Sequence, residues 1–195
     1  DGLHNYLVDN LEAYVATGQG LAYGFEMSIE KPSGRFNGRL SYNYGKSDYQ
    51  IDVINQGRWY PYRFDKTHSL TMLSNFQITK NFSVSSTFIY STGRPVTLPE
   101  GYYHISGIPF PYWEGRNKYR LPDYHRLDLG IKYSPNFLIR WTRGLKTTID
   151  VALYNLYDRR NIHTINFNQG QNRLFEQIGQ STYGFMPSIN INVEF

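Results

Sequence analysis

The sequence contains no cysteine, and only three methionines and three tryptophans occur among its 195 residues. The absence of cysteine excludes a disulfide framework and metal sites built on thiolates. No segment approaches the ~20 consecutive apolar residues that a membrane-spanning helix requires, and the mean hydropathy is −0.54. A helical membrane protein is therefore excluded.

The sequence also has no large excess of charge of either sign. The chain has 20 Lys and Arg against 16 Asp and Glu, a formal net charge of +4, and its basic residues are scattered. Nucleic-acid-binding proteins cluster their basic residues on one face or along one helix. We therefore expect no nucleic-acid partner.

No arrangement of residues typical of a catalytic or metal site is present. The five histidines lack the spacing of metal ligands; they are His4, His68, His104, His125 and His163. No acid, base and nucleophile can be assembled from the sequence. We expect neither an enzyme nor a bound metal or cofactor.

Aromatic residues are abundant, at 17% of the chain, with 18 Tyr and 12 Phe. The final stretch, residues 183–195, alternates strictly: every second residue from Tyr183 to Phe195 is apolar or proline, and those between are mostly polar. This period of two indicates a β-strand with one apolar face, in a soluble sandwich or in a membrane. Its length is sufficient to cross a bilayer, which takes roughly nine to eleven residues.

Six further stretches repeat the alternation. They are Leu21–Glu30, Phe36–Tyr44, Ser69–Thr79, Phe82–Ser91, Tyr124–Tyr133 and Thr148–Tyr157. The connections between successive strands are short, long, short, long, medium and long, which places every long loop at one end of an antiparallel meander. That asymmetry is typical of outer-membrane barrels. The sequence thus predicts an all-β, antiparallel transmembrane β-barrel.

About seven strands are predicted, whereas single-chain bacterial barrels have even numbers. Either Leu11–Thr17 forms an eighth strand of a small barrel, or the chain is the C-terminal section of a larger one. We expect the second. In that organisation residues 1–20 form a loop end or partial strand, and residues 21–195 form barrel.

Five short motifs, in order, resemble the C-terminal barrel of TonB-dependent outer-membrane receptors, and the terminal Phe195 fits the same pattern. The motifs are Gly20–Glu26 (GLAYGFE), Tyr62–His68 (YRFDKTH), Tyr90–Pro99 (YSTGRPVTLP), Leu121–Leu129 (LPDYHRLDL) and Tyr154–Arg160 (YNLYDRR). The resemblance implies the last third of a barrel of about 22 strands, integral to the bacterial outer membrane, whose N-terminal plug domain lies upstream. It also implies these partners: outer-membrane lipid, the plug and remaining strands, the TonB complex through the plug region, and a surface lipoprotein as a further candidate.

The function implied is TonB-dependent uptake of a large nutrient such as a metal chelate, a glycan or a peptide. The alternatives are a small closed barrel acting as a porin or enzyme, and a soluble carbohydrate-binding sandwich. Loop residues predicted to bind ligand, because aromatics with arginine serve recognition, are Trp59, Tyr60, Tyr62, Arg63, Tyr102, Tyr103, Tyr112, Trp113 and Arg116. Charges predicted to face the lumen are Arg35, Arg39, Arg126, Asp128, Lys132 and Asp150. The resemblance makes Phe195 a signal for barrel assembly.

Overall fold

The structure is a computed structural model that describes residues 15–135, 146–169 and 175–194. Within these ranges the chain is all-β, with antiparallel strand pairing throughout and a single 3₁₀ turn at Asn55–Gly57. The strands are β1 Gly18–Lys31, β2 Phe36–Ile51, β3 Tyr60–Pro61, β4 His68–Thr79, β5 Phe82–Ser91, β6 Pro95–Val96, β7 Gly101–Ile105, β8 Ile108–Tyr112, β9 Tyr119–Arg120, β10 Tyr124–Tyr133, β11 Lys146–Tyr154, β12 Ile162–Gln169, β13 Phe175–Ser181 and β14 Met186–Glu194. The predicted all-β class is confirmed.

One large sheet organises the molecule, with the strand order β1-β2-β4-β5-β10-β11-β14 and with β3 added beside β2. Each long strand pairs with the next long strand along the chain. In the part of the chain that is described, β1 pairs only with β2 and β14 only with β11, so this sheet is open at both edges. Three two-stranded ladders lie outside it, namely β6-β9, β7-β8 and β12-β13.

The two faces of the sheet differ in polarity as the alternation predicts. Register pairs such as Phe25↔Tyr44 and Leu129↔Leu153 place the apolar positions of all seven long strands on one side, which we call the apolar face. The other side, the polar face, carries pairs such as Glu30↔Arg39. Because paired residues point the same way, the pattern is continuous across the sheet.

The connections fall into two groups at opposite ends of the strands. Residues 52–67, 92–123 and 155–185 join strands at one end, which we call the loop end. Residues 32–35, 80–81 and 134–145 join them at the other, the turn end. The predicted separation of long and short connections is therefore present.

No described residue forms a second layer over the apolar face. Among the described residues the only buried hydrophobic side chains are Tyr60 and Leu121, both at the loop end, whereas Phe25, Ile29 and Ile189 are each more than half exposed. The accessible surface is 14367 Å², against about 9,600 Å² expected for a compact monomer of this mass. The sheet therefore has no hydrophobic core of its own.

One polar pair interrupts the apolar face. Ser74 of β4 and Ser86 of β5 lie opposite each other in the register, and their hydroxyl oxygens are 2.8 Å apart. Each hydroxyl thereby has a partner that the surrounding hydrocarbon side chains cannot supply.

Several predicted boundaries were wrong. The first strand begins at Gly18, and β2 continues seven residues beyond Tyr44 because it stays paired with that earlier start, as in Gly18↔Ile51. β11 ends at Tyr154 because Asn155 adopts a left-handed φ of 51°, so Tyr157 lies in the following turn. The last strand begins at Met186 and not at Tyr183.

Leu11–Thr17, the alternative eighth strand, lies mostly outside the described residues, and its described part, residues 15–17, is not strand. The connections predicted as loops instead contain hairpins. β7 and β8 are joined by Ser106 and Gly107, whose φ values of 49° and 78° match a tight two-residue turn. Turn residues placed between two short apolar runs form such a hairpin locally.

Candidate functional site

The loops at the loop end are held together by Asp65, whose side chain is 1% exposed. Its Oδ1 accepts the Ser47 N–H at 2.8 Å, and its Oδ2 accepts the Thr67 hydroxyl at 3.1 Å. Arg120 Nη2 lies 2.5 Å from Oδ2, and its Nη1 donates to the Gly93 carbonyl at 3.0 Å. Asp65 therefore ties residues 52–67 to residues 92–123.

A second connection between these loops uses asparagine side chains. Asn55 bonds the backbone of Arg116 in both directions: Nδ2 donates to its carbonyl at 3.0 Å, and Oδ1 accepts its N–H at 2.7 Å. The neighbouring Asn117 is buried and donates from Nδ2 to the Pro61 carbonyl at 2.8 Å. The two loops thus form one structural unit above the sheet.

The first predicted aromatic cluster is divided by this packing. Trp59 is exposed, whereas Tyr60 is only 5% exposed and lies mostly in the interior of the loops. Tyr62 packs edge-on against Tyr49 with ring centroids 4.9 Å apart. The Arg63 guanidinium lies 4.6 Å from the centre of the Phe64 ring.

The second predicted cluster lies on the β7-β8 hairpin and the residue after it. Tyr102, Tyr103, Tyr112 and Trp113 are all exposed. Tyr103 stacks on Phe110 across the hairpin, with ring centroids 5.8 Å apart. From Gly101 to Trp113 the chain has no Asp, Glu, Lys or Arg, so this hairpin presents an uncharged surface.

A cleft of about 330 Å³ lies between the two loops and brings Trp59, Tyr60 and Arg116 together. Its lining also includes Arg58, Glu114 and Lys118 but none of the hairpin tyrosines. Lys118 Nζ donates to Glu100 at 2.7 Å and to Glu114. These two carboxylates raise the pKa of Lys118, and the Lys118 ammonium lowers the pKa of Glu114.

A larger cavity, of about 660 Å³, lies where the polar face meets the loops. Ser69 and Thr71 of β4 line it together with Ile89 and Ser91 of β5. The loops contribute further lining residues, among them Phe64, Lys66, Arg94 and His163. A cavity of about 200 Å³ shares Arg94, Leu121 and His163 with it and adds Arg63. Apart from Arg63, the sequence analysis selected none of these residues.

The predicted lumen charges on β10 form a network on the polar face. Arg126 donates from Nε to Asp128 at 3.0 Å and from Nη1 to the hydroxyls of Tyr124 and Tyr154 at 3.0 and 2.8 Å. Its guanidinium also lies 4.2 Å from the centre of the Tyr154 ring. The other oxygen of Asp128 accepts the Asn155 N–H at 2.8 Å, which anchors the turn that follows β11.

The remaining predicted lumen charges also have neighbours of suitable polarity. Arg39 lies opposite Glu30, and its Nε donates to Ser28 at 3.0 Å. Lys132 lies opposite Asp150, whose Oδ2 accepts from the Asn192 amide at 2.9 Å. Arg35 is at the turn end and donates to the Ile78 carbonyl at 3.0 Å.

No family model matches this chain, and no curated protein matches it. Within the described ranges no helix is long and apolar enough to cross a membrane. No group of three or more His, Cys, Asp or Glu that could hold a metal ion occurs in the same residues. Phe195, the predicted assembly signal, lies outside them.

The residues that line the cavities could not be identified from the sequence, for a physical reason. Lys66, Arg94 and His163 are separated by up to 97 positions along the chain, and only the register of the sheet brings their loops to one place. The one sequence signal available was the run of small hydroxyl residues at alternate positions of β4 and β5, which leaves space on the polar face.

Proposed function

We propose that this chain forms part of the wall and the extracellular loops of an outer-membrane β-barrel receptor that takes up a large nutrient. The observation that carries the proposal is the apolar face, which no described residue covers and which is bounded by two rows of aromatic and histidine residues. Water-exposed apolar patches of this extent mark contact with protein or membrane.

The two rows are eight residues apart on successive strands. On β2, β4, β5 and β10 the pairs are Phe36 and Tyr44, His68 and Phe76, Phe82 and Tyr90, and His125 and Tyr133. Direct partners keep the rows level between β2 and β4 and between β5 and β10, as in Phe36↔Phe76 and Tyr90↔His125. Eight residues span about 26 Å along a strand, or about 20 Å across a wall whose strands tilt by about 40°, which approaches the apolar band of about 25 Å between the aromatic girdles of an outer-membrane barrel.

Strand length supports the same assignment. The long strands contain between 9 residues, in β11 and β14, and 16 residues, in β2. Ordinary strands contain about five or six. The aromatic level also shifts by two residues between β4 and β5, where Tyr90 pairs with Leu70 and not with His68; such a shift accompanies strands that tilt across the barrel wall.

The open edges favour a section of a larger barrel over a complete small one. In lipid, unpaired N–H and C=O groups are costly, so β1 and β14 each need a further strand partner. Together with the resemblance to TonB-dependent receptors, this supports a barrel completed by other strands and filled by a plug. In that assembly the loop end is extracellular and the turn end periplasmic.

The absence of cysteine in the chain allows a direct test of orientation. Ser106→Cys places a thiol at the tip of the β7-β8 hairpin, and Lys80→Cys places one in the turn between β4 and β5. A membrane-impermeant maleimide should label Ser106→Cys on intact cells and Lys80→Cys only after the outer membrane is opened. Equal labelling of both on intact cells, or recovery of the protein in the soluble fraction, would reject the proposal.

A further inference from the structure

We propose that the two adjoining cavities at the loop end bind an anionic, hydroxyl-rich ligand of oligosaccharide size, held by Arg63, Lys66, Arg94 and His163. The inference rests on the proposed receptor function and specifies its ligand class. The cavities have volumes of about 660 and 200 Å³ and share Arg94 and His163. Taken together, the volume of the two cavities falls in the range of small-molecule sites, about 300–1,000 Å³.

The charge of the residues that line the cavities predicts a ligand of negative charge. Arg63, Lys66, Arg94 and His163 are among the described residues that line the two cavities, and no Asp or Glu is among them. A cavity lined by one sign of charge attracts and concentrates ligands of the opposite sign.

The acidic residues next to the cavity lining in the sequence form hydrogen bonds with other groups. Asp65 precedes Lys66, but it is buried and accepts its bonds from Ser47, Thr67 and Arg120. Asp123 precedes Tyr124, and its two oxygens accept the Gly93 N–H at 2.9 Å and the Tyr90 hydroxyl at 2.7 Å. Neither carboxylate neutralises the basic lining.

Two of the basic groups also retain free donors. Lys66 is exposed and has no hydrogen bond or ion pair with any residue in the described ranges. Arg94 spends one nitrogen, Nη2, on the His163 carbonyl at 2.7 Å, and a guanidinium has five N–H donors in a planar fork suited to carboxylate and phosphate. An anionic group entering the larger cavity meets both.

The rest of the larger cavity suits a polyhydroxylated body. Ser69, Thr71 and Ser91 place hydroxyl-bearing side chains along the polar face, and each hydroxyl can both donate and accept a hydrogen bond. Phe64, which is 50% exposed, and Tyr124 add apolar ring surface to the same lining. Carboxylate and phosphate groups share the required charge, so a uronic-acid glycan and a phosphorylated one are both members of the class.

The test is binding to the full-length protein in detergent, measured by calorimetry with trigalacturonate, a phosphorylated maltotriose and neutral maltotriose. The acidic probes should bind at least about tenfold more tightly than neutral maltotriose, and their affinity should fall as salt is raised because the contacts are ionic. Tight binding of trigalacturonate alone assigns the carboxylate form, and tight binding of the phosphorylated maltotriose alone assigns the phosphate form.

The variants Lys66→Gln and Arg94→Gln should each weaken the acidic probes by about tenfold, because each removes a charge-assisted contact. Lys80→Gln removes the same charge at the turn end and should leave binding unchanged. If maltotriose binds as tightly as the acidic probes, if none of the three probes binds, or if Lys80→Gln weakens binding as much as Lys66→Gln, the inference fails. In each of these cases surface labelling of Ser106→Cys still decides the receptor proposal separately.

Discussion

Replacing Met72 with arginine should separate a lipid-facing sheet from a water-facing one. Met72 is on the apolar face of β4, four residues from His68 and four from Phe76. Four residues extend about 13 Å along a strand, so in a wall tilted by about 40° Met72 lies roughly 10 Å from each aromatic row. It is therefore close to the middle of the apolar band.

The same strand offers two matched controls. Leu73 is on the polar face, and Phe76 is in the turn-end aromatic row; their exposures of 44% and 43% are close to the 39% of Met72. If all three faced water, each arginine would change stability by no more than about 0.5 kcal/mol. If the apolar face lies in lipid, Met72→Arg costs about 2–4 kcal/mol and Phe76→Arg about 0–1 kcal/mol, while Leu73→Arg is tolerated.

The measurement is the amount of folded, protease-resistant protein in the membrane fraction, followed by the urea midpoint of the purified protein in phospholipid vesicles. We expect the order Leu73→Arg, Phe76→Arg, Met72→Arg from most to least stable. Equal effects at Met72 and Leu73 would refute the assignment of the apolar face to lipid, since the two side chains differ mainly in the face they occupy.

Three further results are expected. Asp65→Asn removes the charge that pairs with Arg120 and should destabilise the packing of the two loops by about 1–3 kcal/mol. Trypsin should then cleave residues 52–67 faster, whereas the control Asp52→Asn, at an exposed position, should have no effect. Unchanged cleavage of Asp65→Asn would show that Asp65 does not hold the loops together. The Tyr90 hydroxyl and the Gly93 N–H lower the pKa of Asp123 from 3.8, so its contribution to stability is complete above that value and is lost as the pH falls through the lower folded pKa. Cleavage of residues 92–123 by an acid-active protease should therefore rise as the pH is lowered beneath 3.8, and Asp123→Asn, which is never charged, should lack that acid transition. Phe195→Ala should reduce insertion into the membrane more than ligand affinity, and normal insertion would count against an assembly role.

The fold could be predicted to the level of strands and faces because period two is a local property. β5 and β10 have the predicted bounds, Phe82–Ser91 and Tyr124–Tyr133, since the alternation extends along the whole of each strand with only Ser86 and Ile89 of β5 out of phase. The end of β11 could not be predicted, because it depends on Asn155, a buried residue whose side chain bonds the Arg159 and Tyr183 carbonyls at 2.9 and 3.1 Å. Contacts with such distant residues leave no periodic trace in the sequence.

The candidate site was less accessible to sequence reasoning than the fold. Exposed aromatics such as Trp59 and Tyr103 could be selected by residue type, but type alone also selected Tyr60, which the loops bury. In the sequence nothing distinguishes Lys66 and Arg94 from other loop cations; in the structure both line the same cavity. Burial and convergence are tertiary properties, and they decide which loop residues a ligand can reach.

The serine pair on the apolar face has a consequence for how β4 and β5 find each other. Sliding one strand by two residues keeps every apolar side chain on the same face, so hydrophobic patterning cannot reject that mispairing. It would, however, place Ser74 opposite Val84 or Phe88 instead of Ser86, and each stranded hydroxyl would cost about 1–3 kcal/mol. The hydrogen bond between Ser74 and Ser86 thus favours one register of β4 and β5 over others that hydrophobic patterning alone would allow.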